Sequence, residues 1–477
     1  MGSLSKAYNE ERIRLSSGVF SLFFGLFLLS LWLLNLGFDF RVLVITYSML
    51  VLFALIKKFG ILSFYALLYS TFILFYVSRY LIDLFSDFNV REFTFFFPMR
   101  VEDEVLYQQN VLLLCFSFAC ILTGFLVSEK RYTRIKKIEN NSNYGFLKIC
   151  ALTASLFYIA KYIIILRVTG FDYIYFQSNY VEVLNQVPFV VRVVATLSTI
   201  IYFCFLSSIN SHKNFIIYSA LFLFISVFAL LQGGRAEFIT NFIVVIWLYG
   251  KKFEQHKLNV VKLLPLFLLG ITLLYIVQFM ASFRLGQEAA SGVLFSLLRD
   301  QGTSLIIVPL STMFSSVLSY SDFLEHILRF FISPFYGLFY KLNITVNYNS
   351  VIEVISQYIN PTAGLHGFGL GGSLLAELYL YFGFLGVILV TPIVFWCYSL
   401  FFNIRPDVPN WRSIFIFSLC LIAMKSIFFV MRGYSFEFVS ELIRHSFYIL
   451  PFILFCWFMR LISINPDHLG DKSNDNL

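Results

Sequence analysis

Charged residues make up only 13% of this sequence, about half of what a soluble domain carries. A water-soluble enzyme is excluded on that ground, and so is an intrinsically disordered chain. Proline is scarce, at 11 of 477 residues beside 25 glycines, which excludes a collagen-like or Pro/Gly-rich chain. The seven cysteines (Cys115, Cys120, Cys150, Cys204, Cys397, Cys420 and Cys456) fall in or beside apolar runs, and none forms C-x-x-C. Neither a disulfide framework nor a zinc site is supported. No G-x-x-x-x-G-K-S, H-E-x-x-H or D-x-D set occurs at useful spacing, so ATP hydrolysis and metal-assisted chemistry lack support.

What is present is apolar: 59% hydrophobic residues, with 60 Phe and 28 Tyr. The apolar residues come in long unbroken runs rather than the short alternating segments of a β-barrel. The fold class expected is therefore all-α, a polytopic integral membrane protein of about 12 transmembrane helices. Spans are expected near 15–36, 41–56, 60–84, 107–128, 146–167, 188–209, 215–232, 236–250, 263–281, 370–398, 413–431 and 436–459. Lys6, Arg12 and Arg14 precede an apolar stretch to Leu36 that is too long for a signal-peptide core, so a retained first helix is expected. The 304–340 region has apolar stretches that would dip into the membrane or lie on it.

The net charge of +8 would suggest nucleic acid as a partner in a soluble protein. Here it reads as the positive-inside bias, with no nucleic-acid partner expected. With the N-terminus inside, basic residues concentrate in the inner loops, as in Lys130, Arg131, Arg134, Lys136, Lys137 and Lys148. Both termini are then cytoplasmic. The division is helices 1–9 in 1–281, a large outer loop in 282–369, helices 10–12 in 370–460 and a cytoplasmic tail in 461–477. A loop as long as 282–369 is usually functional.

Charges within spans are costly and mark candidates. Arg79 and Asp83, four apart, can pair on one helix face. In the last span Glu437, Glu441, Arg444 and His445 follow helical spacing, with Tyr434 and Tyr448 a turn to either side. They form one polar stripe, read either as the wall of an outer-facing cavity or as a buried ion-pair network. Lys425 and Arg432 share a face on the preceding span. Gln232-Gly233-Gly234-Arg235 and Met431-Arg432-Gly433-Tyr434 are short glycine turns carrying an arginine on the side where basic residues are depleted, and Arg284 follows the ninth span. A guanidinium there either snorkels to the interface or binds phosphate, which its planar fork suits. The stretch His366-Gly367-Phe368-Gly369-Leu370-Gly371-Gly372-Ser373 leads into the tenth span, with Glu377 one turn on. His366 and Glu377 are the candidate acid–base residues, each set against a plain structural role.

Gly233-Gly234-Arg235, Gly369-Leu370-Gly371-Gly372-Ser373 with Ala376-Glu377-Leu378-Tyr379, Tyr381-Phe382-Gly383-Phe384-Leu385-Gly386 and Arg432-Gly433 resemble the bacterial O-antigen polymerase family, Wzy type. Tyr381 stands where Asn is more usual before Phe-Gly. The resemblance implies a GT-C-like fold in the bacterial inner membrane with an active site facing the periplasm. It implies a glycosyltransferase that moves a growing glycan from undecaprenyl diphosphate to a sugar hydroxyl of the next lipid-linked repeat unit. Arg235, Arg284 and Arg432 would hold the diphosphate, and His366 or Glu377 would take the acceptor proton. Glu437, Glu441, Arg444 and His445 would support the site. Neither cofactor nor metal is implied. The partners implied are the undecaprenyl-diphosphate-linked oligosaccharide, membrane lipids and a chain-length regulator protein. The rival functions are an O-antigen ligase and a lipid-linked glycan flippase or transporter; the long outer loop counts against the flippase, and the lack of related halves against a proton-coupled transporter.

Overall fold

The computed structural model describes residues 2–85, 101–126, 144–170, 180–230, 235–253, 320–335, 372–404 and 411–463, with isolated positions between 268 and 339. Among these residues the chain is helical throughout, without a strand. The helices are α1 (Gly2–Asn35), α2 (Phe40–Phe59), α3 (Phe64–Phe72), α4 (Ser78–Phe85), α5 (Asp103–Leu126), α6 (Tyr144–Thr169) and α7 (Tyr180–Gln186). They continue with α8 (Phe189–Ser208), α9 (His212–Leu230), α10 (Arg235–Phe253), α11 (Tyr320–Ile332), α12 (Leu374–Phe402), α13 (Trp411–Phe429) and α14 (Glu437–Ser463).

Eight segments among the described residues are long and apolar enough to cross a membrane, and they coincide with the first seven expected spans and the tenth. The spans expected at 236–250, 413–431 and 436–459 are also helices, α10, α13 and α14, but they carry the charges discussed below. The span expected at 263–281 lies largely outside the described residues, as do most of the 282–369 loop and the tail. Large apolar side chains such as Leu22, Trp32, Phe53, Leu156 and Leu385 stand exposed on the bundle exterior, as a lipid-facing surface requires.

Local sequence explains the helix ends. Asp39 caps α2 by accepting from the Arg41 amide at 2.9 Å, and Lys57 and Lys58 close its last turn, where cations complement the helix dipole. Ser63 caps α3 through the Ala66 amide at 3.2 Å. The third expected span is not one regular helix. α3 and α4 are joined by a π-helical turn, Ile73–Val77, which shifts the register of the side chains that follow. α12 is kinked at Gly383, whose φ of 64° and ψ of −166° lie where only glycine rests comfortably.

α5 sits centrally and packs on α1, α2 and α12, with Leu112, Leu113, Phe116 and Ala119 fully buried. Aromatic rings fill much of this interior. Phe64 stacks on Phe402 at 4.2 Å, and Phe72 meets Phe116 at 4.8 Å. α6 packs on α8, α10 on α13, and α13 on α14, while α11 lies against α14. The region expected to dip or lie on the surface thus supplies one amphipathic helix, α11, docked on the last span.

Candidate functional site

Three separated pieces of chain meet: the π-helical turn, the entry to α12 and the turn between α13 and α14. The Gly372 amide donates to the Arg432 carbonyl at 3.2 Å. A Cβ on Gly372 would lie 2.5 Å from the Gly433 carbonyl carbon, so the two backbones meet with no room for a side chain. Tyr76, in the π-helical turn, donates to the Met431 carbonyl at 2.6 Å, and its hydroxyl lies 2.7 Å from Ser373 Oγ. Ser373 in turn caps α12 by accepting from the Ala376 amide at 3.2 Å. The π register is what lets one tyrosine bridge both glycine segments. Arg79, three residues on, is only 1% exposed.

Glu377, one turn into α12, lies under this junction and is 3% exposed. Its Oε2 accepts from the Ser435 amide at 2.8 Å, and its Oε1 accepts from Ser435 Oγ at 2.5 Å. The Ser435 carbonyl takes a hydrogen bond from Tyr398 at 2.8 Å, which fixes the turn to the far part of α12. His326 Nε2 lies 3.1 Å from Glu377 Oε1. The His326 ring packs against Phe330, Tyr381 and Tyr434 at 5.1–5.4 Å between ring centres.

His326 did not stand out in the sequence. Its signal was available in the 320–332 pattern, where it falls on the apolar face of an amphipathic helix. The signals that did stand out there were the glycine-rich segments, and His366, which lies outside the described residues.

The expected stripe on the last span divides into two parts. Glu441 pairs with Arg444, and with His445 Nδ1 at 3.1 Å. The Arg444 side chain is 52% exposed. Glu437 instead turns toward the glycine hairpin, its Oε2 3.4 Å from the Tyr434 amide. Between these two groups, Ser440 Oγ lies 2.8 Å from Ser333 Oγ and ties α14 to the turn that follows α11. Asp83, expected to pair with Arg79, has Arg41 Nη1 at 3.7 Å.

A second polar cluster lies at the start of α10. Glu237 is 4.0 Å from Lys425 of α13 and 3.5 Å from the Tyr162 hydroxyl of α6. Lys161 stands over the Tyr162 ring at 5.0 Å. Lys161 also interacts electrostatically with Glu237 and Lys425, so among the described residues two lysines share one carboxylate here. Arg235 is the first residue of α10, two before Glu237. Arg284 lies outside the described residues.

A family model for the O-antigen polysaccharide polymerase Wzy matches residues 17–465. The chain belongs to this family. No curated protein and no solved structure matches it. The Wzy match runs from α1 past the end of α14 and so includes both polar clusters. As a Wzy family member it is a multi-pass membrane protein and a glycosyltransferase-type polymerase of O-antigen polysaccharide. Among the described residues no three His, Cys, Asp or Glu side chains gather as a metal-ligand group.

Proposed function

We propose that this Wzy polymerase takes its growing glycan from undecaprenyl diphosphate and transfers it to a sugar hydroxyl of the next lipid-linked repeat unit. The proposed location is the bacterial inner membrane, with about 12 spans in a GT-C-like arrangement, both termini cytoplasmic and the site facing the periplasm. A chain-length regulator is the proposed protein partner. The observation that carries the reading is the backbone junction of Gly372 with the Arg432–Gly433 turn, which also holds the buried Glu377 through the amide of Ser435, three residues after Arg432.

Arg235, Arg284 and Arg432 are the proposed diphosphate ligands. Support comes from the Glu237–Lys425 contact, which sets the start of α10, where Arg235 lies, beside the last turn of α13, shortly before Arg432. The positive charge of Lys161 and Lys425 adds to it, because a cation in a span favours an anionic ligand nearby. Diphosphate is already a good leaving group, so charge stabilisation by these cations is the main rate term expected. Glu437, Glu441, Arg444 and His445 support the site by holding the last span and its hairpin.

Loss of one charge-assisted contact costs about 1.5–3 kcal/mol, which is roughly one to two decades in rate. Arg→Ala at 235, 284 and 432 should each shorten the polymer by lowering that rate, and Arg→Lys should recover only part, since it keeps charge without the paired donors. The assay is the glycan length profile in a deletion strain complemented with each variant at matched protein level. Deletion itself should leave a single repeat unit on the final acceptor. Complete loss of capped product would point to the ligase or flippase instead, and wild-type polymer from all three Ala variants would remove the diphosphate assignment.

A further inference from the structure

His326 combines three features that the proposed transfer does not yet use. It is buried, at 5% exposure, on a helix that belongs to neither glycine segment. One ring nitrogen, Nε2, is held by Glu377 at 3.1 Å. The other, Nδ1, is buried and has no hydrogen-bond partner among the described residues.

The surroundings of Glu377 bear on what those nitrogens carry. The carboxylate already receives the amide and the hydroxyl of Ser435. The tautomer with its proton on Nε2 lets the carboxylate accept from His326 as it does from Ser435. In that tautomer Nδ1 presents a lone pair. A carboxylate that orients an imidazole whose second nitrogen faces the reacting group is the logic of acid–base dyads and triads. Buried acceptors are nearly always satisfied, and an exception calls for a use. The same carboxylate is bonded to Ser435, three residues after Arg432, so the imidazole and the proposed leaving-group cation are tied to one turn.

We infer that His326 is the catalytic base of the transfer and that Glu377 is its positioning residue. The inference rests on the donor reading above and deepens it. The acceptor sugar hydroxyl gives its proton to Nδ1 as its oxygen bonds the anomeric carbon. The bond from that carbon to the phosphate oxygen breaks, and its electron pair leaves with the diphosphate beside Arg432. The imidazolium then returns its proton to solvent. Tyr434, Tyr381 and Phe330 enclose the ring.

The test uses the full chain in proteoliposomes with an undecaprenyl-diphosphate-linked repeat unit as substrate. His326→Gln is the deciding variant, because its amide can still donate to Glu377 while lacking a basic nitrogen. A base contributes about 10²–10⁴-fold, so kcat should fall by at least about 100-fold with KM for the lipid-linked unit unchanged and the melting temperature retained. In His326→Ala, added imidazole should restore part of kcat. Glu377→Gln should lower kcat without gaining from imidazole, since its own ring is still in place. Wild-type kcat in folded His326→Gln would overturn the inference and leave His326 as a latch that docks α11 on the bundle. A His326→Ala variant that folds and is not rescued would overturn it as well. If His326→Ala does not fold, the kcat of His326→Gln alone decides. A wild-type protein that cannot extend the lipid-linked unit at all would instead overturn the donor reading.

Discussion

Gly372→Ala is the smallest change that reaches the junction, one methyl group. That methyl would sit 2.5 Å from the Gly433 carbonyl carbon, 2.6 Å from its oxygen and 2.7 Å from its Cα. These are backbone atoms and cannot rotate aside. Ordinary contact needs about 3.5 Å, so the hairpin must retreat by about 1 Å. The Gly372–Arg432 hydrogen bond, already 3.2 Å long, would then be lost. That bond is worth about 0.5–1.5 kcal/mol, and the overpacking adds about 1–3 kcal/mol. The larger effect is on chemistry. Ser435 moves with the hairpin and loosens Glu377, and a displacement of about 1 Å near a reacting centre costs about 10²-fold. Polymer length and kcat of Gly372→Ala are compared with Gly145→Ala, which has nothing within 4 Å of its new methyl. Protein levels and melting are followed by fluorescence-detected size exclusion. Normal polymer from folded Gly372→Ala, at the rate of the Gly145→Ala control, would refute the close backbone contact as a determinant of the site.

Tyr76→Phe removes the donor to the Met431 carbonyl and the partner of Ser373. It should lower stability by about 1–3 kcal/mol, read as an earlier melt, and shorten the polymer as well; an unchanged melt would mean that the π-helical turn does not brace the junction. In the turn between α1 and α2, Asp39 is held below the usual carboxylate range chiefly by its hydrogen bond from Arg41. Its stabilisation is complete above the unfolded value of about 3.9 and fades as pH falls through the lower folded value. Asp39→Asn keeps a capping oxygen, so it should lower stability at pH 7 by the worth of a partly exposed pair, about 0.2–1 kcal/mol, read as an earlier melt, with a progressively smaller effect as pH falls below about 3.9.

The membrane class was legible because hydrocarbon imposes a length and an apolarity that few other constraints mimic. α1, α2, α5, α6, α8 and α9 show that relation directly. Less legible were α10, α13 and α14, whose Glu237, Lys425, Glu437, Glu441 and Arg444 dilute the apolar pattern. The π-helical turn was invisible, since Ile73–Val77 is as apolar as any regular stretch. Glu377 was found as a charge where charge is costly. His326 was not, because a histidine on the apolar face of a short amphipathic helix is a weak signal until a distant carboxylate meets it. The glycine segments were legible as places where backbone can approach closely, and the partner, Gly433 for Gly372, needed the third dimension.

The central claim is that this chain itself lengthens a glycan by drawing on a lipid diphosphate, with Arg432 beside the departing group. The most direct measurement follows the purified protein in liposomes given only undecaprenyl-diphosphate-linked repeat units, with products separated by length and the released undecaprenyl diphosphate quantified. The account predicts a ladder of oligomers and one released lipid diphosphate per bond formed, with both reduced about 10- to 100-fold in Arg432→Ala. Unextended substrate from folded protein, or a ladder without matching release of lipid diphosphate, would contradict it.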